Sequence, residues 1–467
     1  MTSGLGQLTI GQHIHLVGIG GIGLSAIARV LAQRGHRVSG SDMGASALTD
    51  ALVAEGIEVF IGHAPEQVDG ADLVLISSAV PASNPEIRAA RARNIPIVER
   101  QQFFPQLLEG YHCLAVAGTH GKTTTTGMVA HILESAGYDP SFIVGGILAG
   151  WGTNARAGAS RWFVIEADEY GRMFHGLTPK VAVITAIEMD HPDCFADLDE
   201  MREAYSQFVR CIEPEGRLIV CSDGDHVRGL LAEMTVELPN VVTYGQHEDA
   251  DYVVSEVQPN ARGGVDLVVT HGGRVWSQGT LGLPGAHNAL NATAAMLVAQ
   301  ACGISPEQSA VALRSFAGVL RRFECKGEVD GITVIDDYAH HPSEIAATLA
   351  AARGRYGSRR IWAVLQPHTY SRIETLLDQF AGCMDDADQV IVTDIYAARA
   401  KERPTIDADR LVMALAHRSA RHIGSLEQVQ THLLDTLQAG DVLITLGAGN
   451  GYLIGERVLT ALEEQST

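Results

Sequence analysis

The sequence predicts an α/β protein of three domains: a Rossmann-like N-terminal domain, a central P-loop ATPase-type α/β domain with an antiparallel patch, and a Rossmann-like C-terminal domain. Three observations predict it. Short apolar runs alternate with helix-length intervals along most of the chain, the pattern of parallel strands joined by crossover helices. Two of these runs open into glycine-rich turns, GIGGIGLS from Gly18 and GTHGKTTTT from Gly118. At about 150 residues per domain, 467 residues suit three domains.

The first domain is read as 1–109. HIHLVGI is a buried-strand run that ends in the first glycine turn. Leu24 to Gln33 follow with helical spacing, and Gly35 stops them. RVSGSD, ADLVLISSA and IPIVE are the further strands. The central domain is read as 110–320. Cys113 to Ala117 lead into the second glycine turn, and RWFVIEAD and VAVITAI are buried-strand runs. Within 250–282, DYVVSEV and VDLVVTHGGRVWSQGTL predict hairpins, hence the antiparallel patch. The third domain is read as 321–467. GITVIDDY, RIWAVLQ, DQVIVTDIY and DVLITLGAG are four strands spaced by helix-length intervals.

Composition narrows the function. Apolar residues at 46% and charged residues at 19% exclude wholesale disorder. A net charge of −21 argues against a nucleic-acid surface or a basic membrane anchor, while leaving anionic substrates open. The seven cysteines are scattered, odd in number and contain no C-x-x-C pair, which predicts a reduced, cytoplasmic setting. No run of 18 apolar residues and no basic leader followed by an apolar core is present, so neither a transmembrane helix nor a signal peptide is expected.

The first glycine turn places Gly18, Gly20 and Gly23 in a G-x-G-x-x-G pattern that also contains Gly21. Small residues there let a diphosphate approach a helix N-terminus, whose free N–H groups stabilise negative charge. Ser41 and Asp42 end the second strand and Ser78 ends a later one; these are the candidate substrate contacts. NAD, another phosphate-bearing nucleotide and a structural turn all fit this motif alone. The second turn is more specific. Gly118, Thr119, His120, Gly121, Lys122, Thr123 and Thr124 follow a buried strand and open a helix. Backbone N–H groups there wrap phosphates, Lys122 reaches the β- and γ-phosphates, and the Thr123 hydroxyl ligates Mg²⁺. Val116 stands where the strict pattern has glycine, so the loop is a shortened variant.

Other candidates sit at strand ends, where α/β proteins bind ligands. Glu166 ends an apolar strand and reads as a carboxylate that holds the metal opposite Thr123 or as a strand-end cap. Asp190 and His191 end another; His191 reads as a metal ligand, a phosphate contact or a loop histidine. Asn288 and Asn291 lie three apart at a helix start, as adenine readers or as a cap. Arg321, Arg322 and Glu324 mark a boundary. Asp336, Asp337, His340 and His341 crowd one strand end, and His368 and Arg372 follow the next strand.

Together GIGGIGLS, GTHGKTTTT, EADE, the DH of IEMDH, HNALNA, RRFE, DDYAHHP, QPH-x-YSR and GAGN resemble the Mur ligases of peptidoglycan synthesis, from Ile14 to Asn450. Their order and spacing are similar to the branch that joins L-alanine to UDP-N-acetylmuramate. The resemblance implies that the first domain binds the UDP of the sugar substrate and not NAD, the central domain binds ATP and Mg²⁺, and the third places the amino acid. It assigns Lys122 and Thr123 to the triphosphate, Glu166 and His191 with Thr123 to the metal, and Asn288 and Asn291 to adenine. Arg322 and Asp337 match residues that reach the nucleotide, and His340, His341 and Arg372 match positions near the amino-acid and acyl ends. The chain departs from the family pattern at Ala186 (commonly Asn), Gly171 (Asp in many members), Thr369 (Arg in some) and Leu320 (Gly). The expected protein is a cytoplasmic ligase, monomer or homodimer, with no nucleic-acid or membrane partner. The competing readings are a ligase that recycles a tripeptide onto the same sugar, an NAD-dependent dehydrogenase, and a nucleotide-gated binding protein.

Overall fold

A computed structural model describes residues 8–234, 240–397 and 406–465. It divides into two compact units. One comprises Met1–Ile187, Met201–Val253 and Asn291–Leu313; the other comprises Glu188–Glu200, Val254–Leu290 and Arg314–Thr467.

The first unit holds two sheets. In one, β1 (His13–Val17), β2 (Arg37–Asp42), β3 (Glu58–Ile61), β4 (Leu73–Ile76) and β5 (Ile97–Glu99) run in the order β3-β2-β1-β4-β5. All pairings are parallel, as a Rossmann-like domain requires. β1 is buried along its whole length, although two of its five residues are histidines. Their rings are satisfied inside: His13 Nε2 and His15 Nδ1 both meet Ser39 Oγ, and His15 Nε2 meets Glu86 at 2.7 Å. β3 was not anticipated. It is a four-residue edge strand with no buried residue, so it lacks the apolar signature of a strand buried on both faces.

The other sheet contains β6 (His112–Ala117), β7 (Ser141–Leu148), β8 (Thr153–Arg156), β9 (Trp162–Glu166), β10 (Val181–Ile184), β11 (Arg217–Cys221) and β12 (Val241–Gly245). Their order is β12-β11-β10-β6-β9-β7-β8, parallel except that β8 runs against β7. The order matters for chemistry. β9 lies directly beside β6, with Glu166 opposite Val116, and β10 flanks the other side, with Ile184 opposite Ala117. Two strand ends therefore meet at the second glycine turn.

In the second unit, β13 (Tyr252–Pro259, whose first two residues belong to the first unit) precedes β14 (Val265–His271) and β15 (Arg274–Thr280). β14 and β15 form an antiparallel hairpin, which is the expected patch; the β7–β8 pair was not foreseen. A six-stranded sheet follows: β16 (Glu324–Val329), β17 (Ile332–Asp337), β18 (Ile361–Leu365), β19 (Gln389–Val392), β20 (Arg421–His422) and β21 (Val442–Leu446). Its order is β16-β17-β21-β18-β19-β20, parallel except at the β16–β17 edge. Both faces are covered, which explains the continuous apolar runs. Ile335, Ala363 and Ile444 pack into one core with Ile345 and Leu349, while Val334, Val364 and Leu443 pack into the other with Ile454 and Val458. No described helix is long and apolar enough to cross a membrane.

Candidate active site

The second glycine turn is built by β6 and closed by β10. Gly118 and Gly121 have φ of +128° and +77°, conformations that side chains rarely adopt. Space forbids substitution as well: a Cβ on Gly118 would lie 2.0 Å from Thr185 Oγ1, and one on Gly121 would lie 2.4 Å from Asn291 Oδ1. Thr119 N–H donates to the Ala186 carbonyl at 2.8 Å, and the Thr185 hydroxyl donates to the His120 carbonyl. Ala186, one of the departures from the family pattern, thus serves the loop through its backbone. The helix Lys122–Ser135 begins at Gly121 with no side-chain cap and no acid in its first turn. That end is left positive, which suits an anion. The threonine run is buried, which explains so poor a helix-forming sequence: it packs rather than faces solvent.

Lys122 folds back over this turn. Its Nζ donates to the carbonyls of Gly118 at 2.5 Å and Thr119 at 3.1 Å, and pairs with Glu169 Oε1 at 2.8 Å. Burial alone would lower the pKa of this ammonium. The carboxylates of Glu169, Glu166 and Asp168 outweigh burial and raise it, so Lys122 is charged. Thr123 Oγ1 donates to Glu166 Oε1 at 3.2 Å, and the other oxygen of Glu166 accepts the Gly145 N–H at 2.7 Å. A hydroxyl and a carboxylate side by side form a hard oxygen set of the type Mg²⁺ prefers. Asn291 is buried against Gly121. Glu169 escaped sequence reasoning, although it is fully buried and holds the key lysine. Its only signal was being the last acid of EADE.

The first glycine turn hangs on β2. The N–H groups of Gly18 and Ile19 donate to the Ser41 carbonyl, and Gly20 N–H donates to Asp42 Oδ2 at 2.9 Å. Ser41 is fully buried; its hydroxyl donates to Glu86, and it meets the turn through its carbonyl. Ser78 is exposed beyond β4. The helix Ile22–Gln33 starts at Gly21, again with no side-chain cap and no acid in the first turn. Gly23 faces the Arg100 guanidinium, which pairs with Asp168.

The second unit has its own cluster. Arg372 Nε donates to Asp190 Oδ1 at 2.7 Å, and its Nη1 meets His368 Nδ1 at 3.0 Å. Both partners of the ion pair are nearly inaccessible. Burial opposes charge on Asp190, but His191, Arg372 and His340 overcome it and hold the carboxyl far below the usual carboxylate range. His191, assigned by resemblance to the metal, belongs to this unit; its N–H donates to Asp190 Oδ1, and its φ of +53° is left-handed. Thr369, a β-branched residue at φ +63°, is strained in the same way.

His340 Nδ1 meets the Tyr338 carbonyl at 2.9 Å, which fixes the proton there and leaves the lone pair on Nε2. Burial, reinforced by Arg372, pushes its pKa down to about 3, so the ring is neutral. His341 is engaged at both nitrogens: Nδ1 accepts the Ser343 N–H, capping the helix Pro342–Tyr356, and Nε2 donates to the Met189 carbonyl. Asp337 accepts N–H groups from Phe323 and Ala339, and burial pushes its carboxyl up to about 6. Arg321 is an anchor, paired with Asp336 at 2.9 Å and donating to the carbonyls of Gly447 and Gly449. Arg322 stands over the Tyr338 ring. Asn288 is buried and donates to the Pro284 carbonyl.

Comparison with known proteins places these features in a family. Three family models match in succession: the Mur ligase catalytic domain over residues 13–112, the Mur ligase middle domain over 116–299, and the Mur ligase glutamate ligase domain over 321–449. A UDP-N-acetylmuramate–L-alanine ligase of Alkaliphilus metalliredigens is 40% identical over 450 residues, covering 96% of this chain and 97% of its own. One from a Geobacter species is 42% identical over 459 residues, covering 97% and 98%. Among solved structures, a UDP-N-acetylmuramate–alanine ligase from Thermotoga maritima superposes with a TM-score of 0.83 at 29% identity, covering 97% of this chain and 99% of its own. A murein peptide ligase from Psychrobacter arcticus gives 0.71 at 27% identity, with the same coverage.

Proposed function

The chain belongs to the Mur ligase family, and from that premise we propose that it joins L-alanine to the lactyl carboxylate of UDP-N-acetylmuramate, driven by ATP. The observation that carries this reading is the match, over nearly the whole chain, to relatives bearing that one activity. The lysine-bearing turn supports it, because ligation of a carboxylate needs a triphosphate.

A carboxylate resists attack by an amine: its charge repels the nucleophile, and oxide does not leave. In the first step a carboxylate oxygen bonds to the γ-phosphorus, the bond to the β,γ-bridging oxygen breaks, and ADP departs. In the second the alanine nitrogen bonds to the acyl carbon, the carbon–oxygen bond to phosphate breaks, and the amine loses a proton. Lys122 and the N–H groups of residues 118–123 stabilise charge on the transferring group, so catalysis is positioning and electrostatics. Thr123 and Glu166 are the residues of the first unit that would hold Mg²⁺, which when bound neutralises phosphate charge. Of the two histidines proposed near the amine, His340 has the lone pair suited to accept its hydrogen bond. A ring titrating near 3 is a weak base, so its part is orientation, and the departing phosphate takes the proton. His341 supports the cap of its helix. We place the reaction in the cytoplasm, where the seven cysteines, all free thiols, are stable.

The test is product identification. Phosphate release requires both the nucleotide sugar and L-alanine, and the product gains the mass of one alanyl residue. Lys122→Ala lowers the rate by several orders of magnitude without unfolding the chain. Rapid ATP turnover with neither substrate, or preference for a tripeptide over alanine, would overturn the reading. Nicotinamide dinucleotides do not bind.

A further inference from the structure

One buried carboxylate of the first domain takes no part in the mechanism. Glu86 is fully inaccessible, and so is His15, its partner at 2.7 Å. Glu86 lies in the first turn of the helix Pro85–Ala92, where the helix dipole favours an anion. It accepts from three side chains: His15 Nε2, the Ser41 hydroxyl, and Nδ1 of the half-buried His63 just beyond β3. From His15 a row of contacts runs on through the sheet. His15 Nδ1 meets Ser39 Oγ at 2.8 Å, Ser39 Oγ meets His13 Nε2 at 2.7 Å, and His13 Nδ1 meets the Gly70 carbonyl at 3.0 Å.

Hydrogens can be counted along this row. It has four contacts, from the Gly70 carbonyl to Glu86, and each needs one hydrogen. Both ends are acceptors, a carbonyl and a carboxylate. Two neutral imidazoles and one hydroxyl bring three hydrogens. One contact would then set lone pair against lone pair, which is costly where water cannot enter. A fourth hydrogen removes the conflict. The surroundings decide where it resides. Burial, helped by Arg37 and His15, lowers the pKa of His13 despite the Gly70 carbonyl and Asp72, so His13 keeps one hydrogen, on Nδ1. Burial opposes charge on Glu86, but His15, Ser41 and His63 hold its carboxyl below the ordinary value, so it is ionised. The fourth hydrogen falls to His15, as an imidazolium donating to Ser39 and to Glu86. The charged and titratable groups around the row are His13 and His15 on β1, Arg37 on β2, His63 after β3, Asp72 before β4 and Glu86 on its helix.

Ser41 joins this row to the first glycine turn. Its hydroxyl donates to Glu86, and its carbonyl accepts the N–H groups of Gly18 and Ile19. We propose that the row is a proton-binding site built into the first domain, and that its proton steadies the glycine turn, so that affinity for the nucleotide sugar falls as pH rises. When the proton leaves, one contact of the row fails and Glu86, which anchors Ser41, loses its charged partner. The effect on affinity rests on the functional reading above; the proton itself does not.

Glu86→Gln is the decisive variant. Its amide nitrogen donates to His15 Nε2, and its oxygen accepts from Ser41 and His63. The row is then complete with both imidazoles neutral, because a covalent N–H replaces the bound proton. Nitrogen-15 NMR of the full chain labelled at histidine reads the difference. The signals that Glu86→Gln alters belong to His15 and His63, and His63→Asn tells them apart. At pH 7.5 the natural chain shows hydrogen on both nitrogens of His15, and Glu86→Gln shows it on Nδ1 alone. A singly protonated His15 in the natural chain overturns the proposal. Calorimetric titration with UDP-N-acetylmuramate at pH 7 and pH 9 reads the consequence. The natural chain weakens with pH by about two- to ten-fold more than Glu86→Gln, the range for one net hydrogen bond. Titration with a non-hydrolysable ATP analogue shows the same pH dependence in both proteins. Equal pH dependence for the nucleotide sugar overturns the link to the turn. If the natural chain binds no nucleotide sugar at either pH, the functional reading fails instead, and the NMR signals still decide the proton.

Discussion

Glu169→Gln isolates the contact that holds the catalytic lysine. The Lys122 ammonium and the Glu169 carboxylate are 2.8 Å apart; Glu169 is inaccessible and Lys122 nearly so. At an effective dielectric of about 20, two unit charges at that distance attract by roughly 6 kcal/mol. Desolvation of both ions offsets much of this, but removing one partner of a buried pair still costs about 3–5 kcal/mol, because the other charge is stranded. Glutamine keeps the shape. Lys122 keeps the Gly118 and Thr119 carbonyls and the fields of Glu166 and Asp168. The lower end, about 3 kcal/mol, is the expected loss for the first unit without nucleotide.

A triphosphate in the turn changes that figure. Its oxygens supply the negative charge that the variant lacks, so the loss in the saturated complex shrinks to about 1 kcal/mol. The difference of roughly 2 kcal/mol must reappear as affinity: by linkage, the variant binds a non-hydrolysable ATP analogue about 30-fold more tightly than the natural chain. Urea unfolding followed with and without the analogue, together with direct titration, measures both sides of this cycle. An equal destabilisation in both conditions, or weaker analogue binding by Glu169→Gln, would refute the picture of a lysine that exchanges Glu169 for phosphate.

Gly118→Ala puts a methyl group 2.0 Å from Thr185 Oγ1 at a φ of +128°, so nucleotide binding measured by titration is lost while circular dichroism is unchanged. Asp337 titrates near 6 in the folded chain, above its unfolded value of 3.8. The folded state therefore binds the extra proton, and this stabilisation is complete below about 3.8 and lost as pH rises through about 6. Asp337→Asn removes that slope from stability measured between pH 4 and 7; an unchanged slope would mean another group causes it. Arg372→Ala strands the buried Asp190 carboxylate and costs about 3–5 kcal/mol in chemical denaturation, whereas Arg372→Lys, unable to reach both Asp190 and His368, recovers only part.

The sequence displayed what is local and hid what sheet order creates. Both glycine turns were readable because their constraints act within a few residues: positive φ at Gly118 and Gly121, and an uncapped helix after each turn. Strands such as β1, β6, β9, β10, β17, β18 and β21 were readable because burial on both faces writes continuous apolar runs, whereas the interior strands β7, β11 and β12 were missed. β3, β16 and β20 lie at sheet edges and carry no such signature, so they were missed. The partners of the site residues were hidden for a different reason. Glu169 meets Lys122 across 47 residues and Asp168 meets Arg100 across 68, and each meeting depends on how the elements pack. β9 lies against β6 in register with Glu166 beside Val116, an adjacency that no spacing rule states. Gly23 reads from sequence as a small residue for close approach of a ligand, and Arg100 belongs to no motif there. Only their juxtaposition shows that the glycine admits the arginine, whose guanidinium pairs with Asp168.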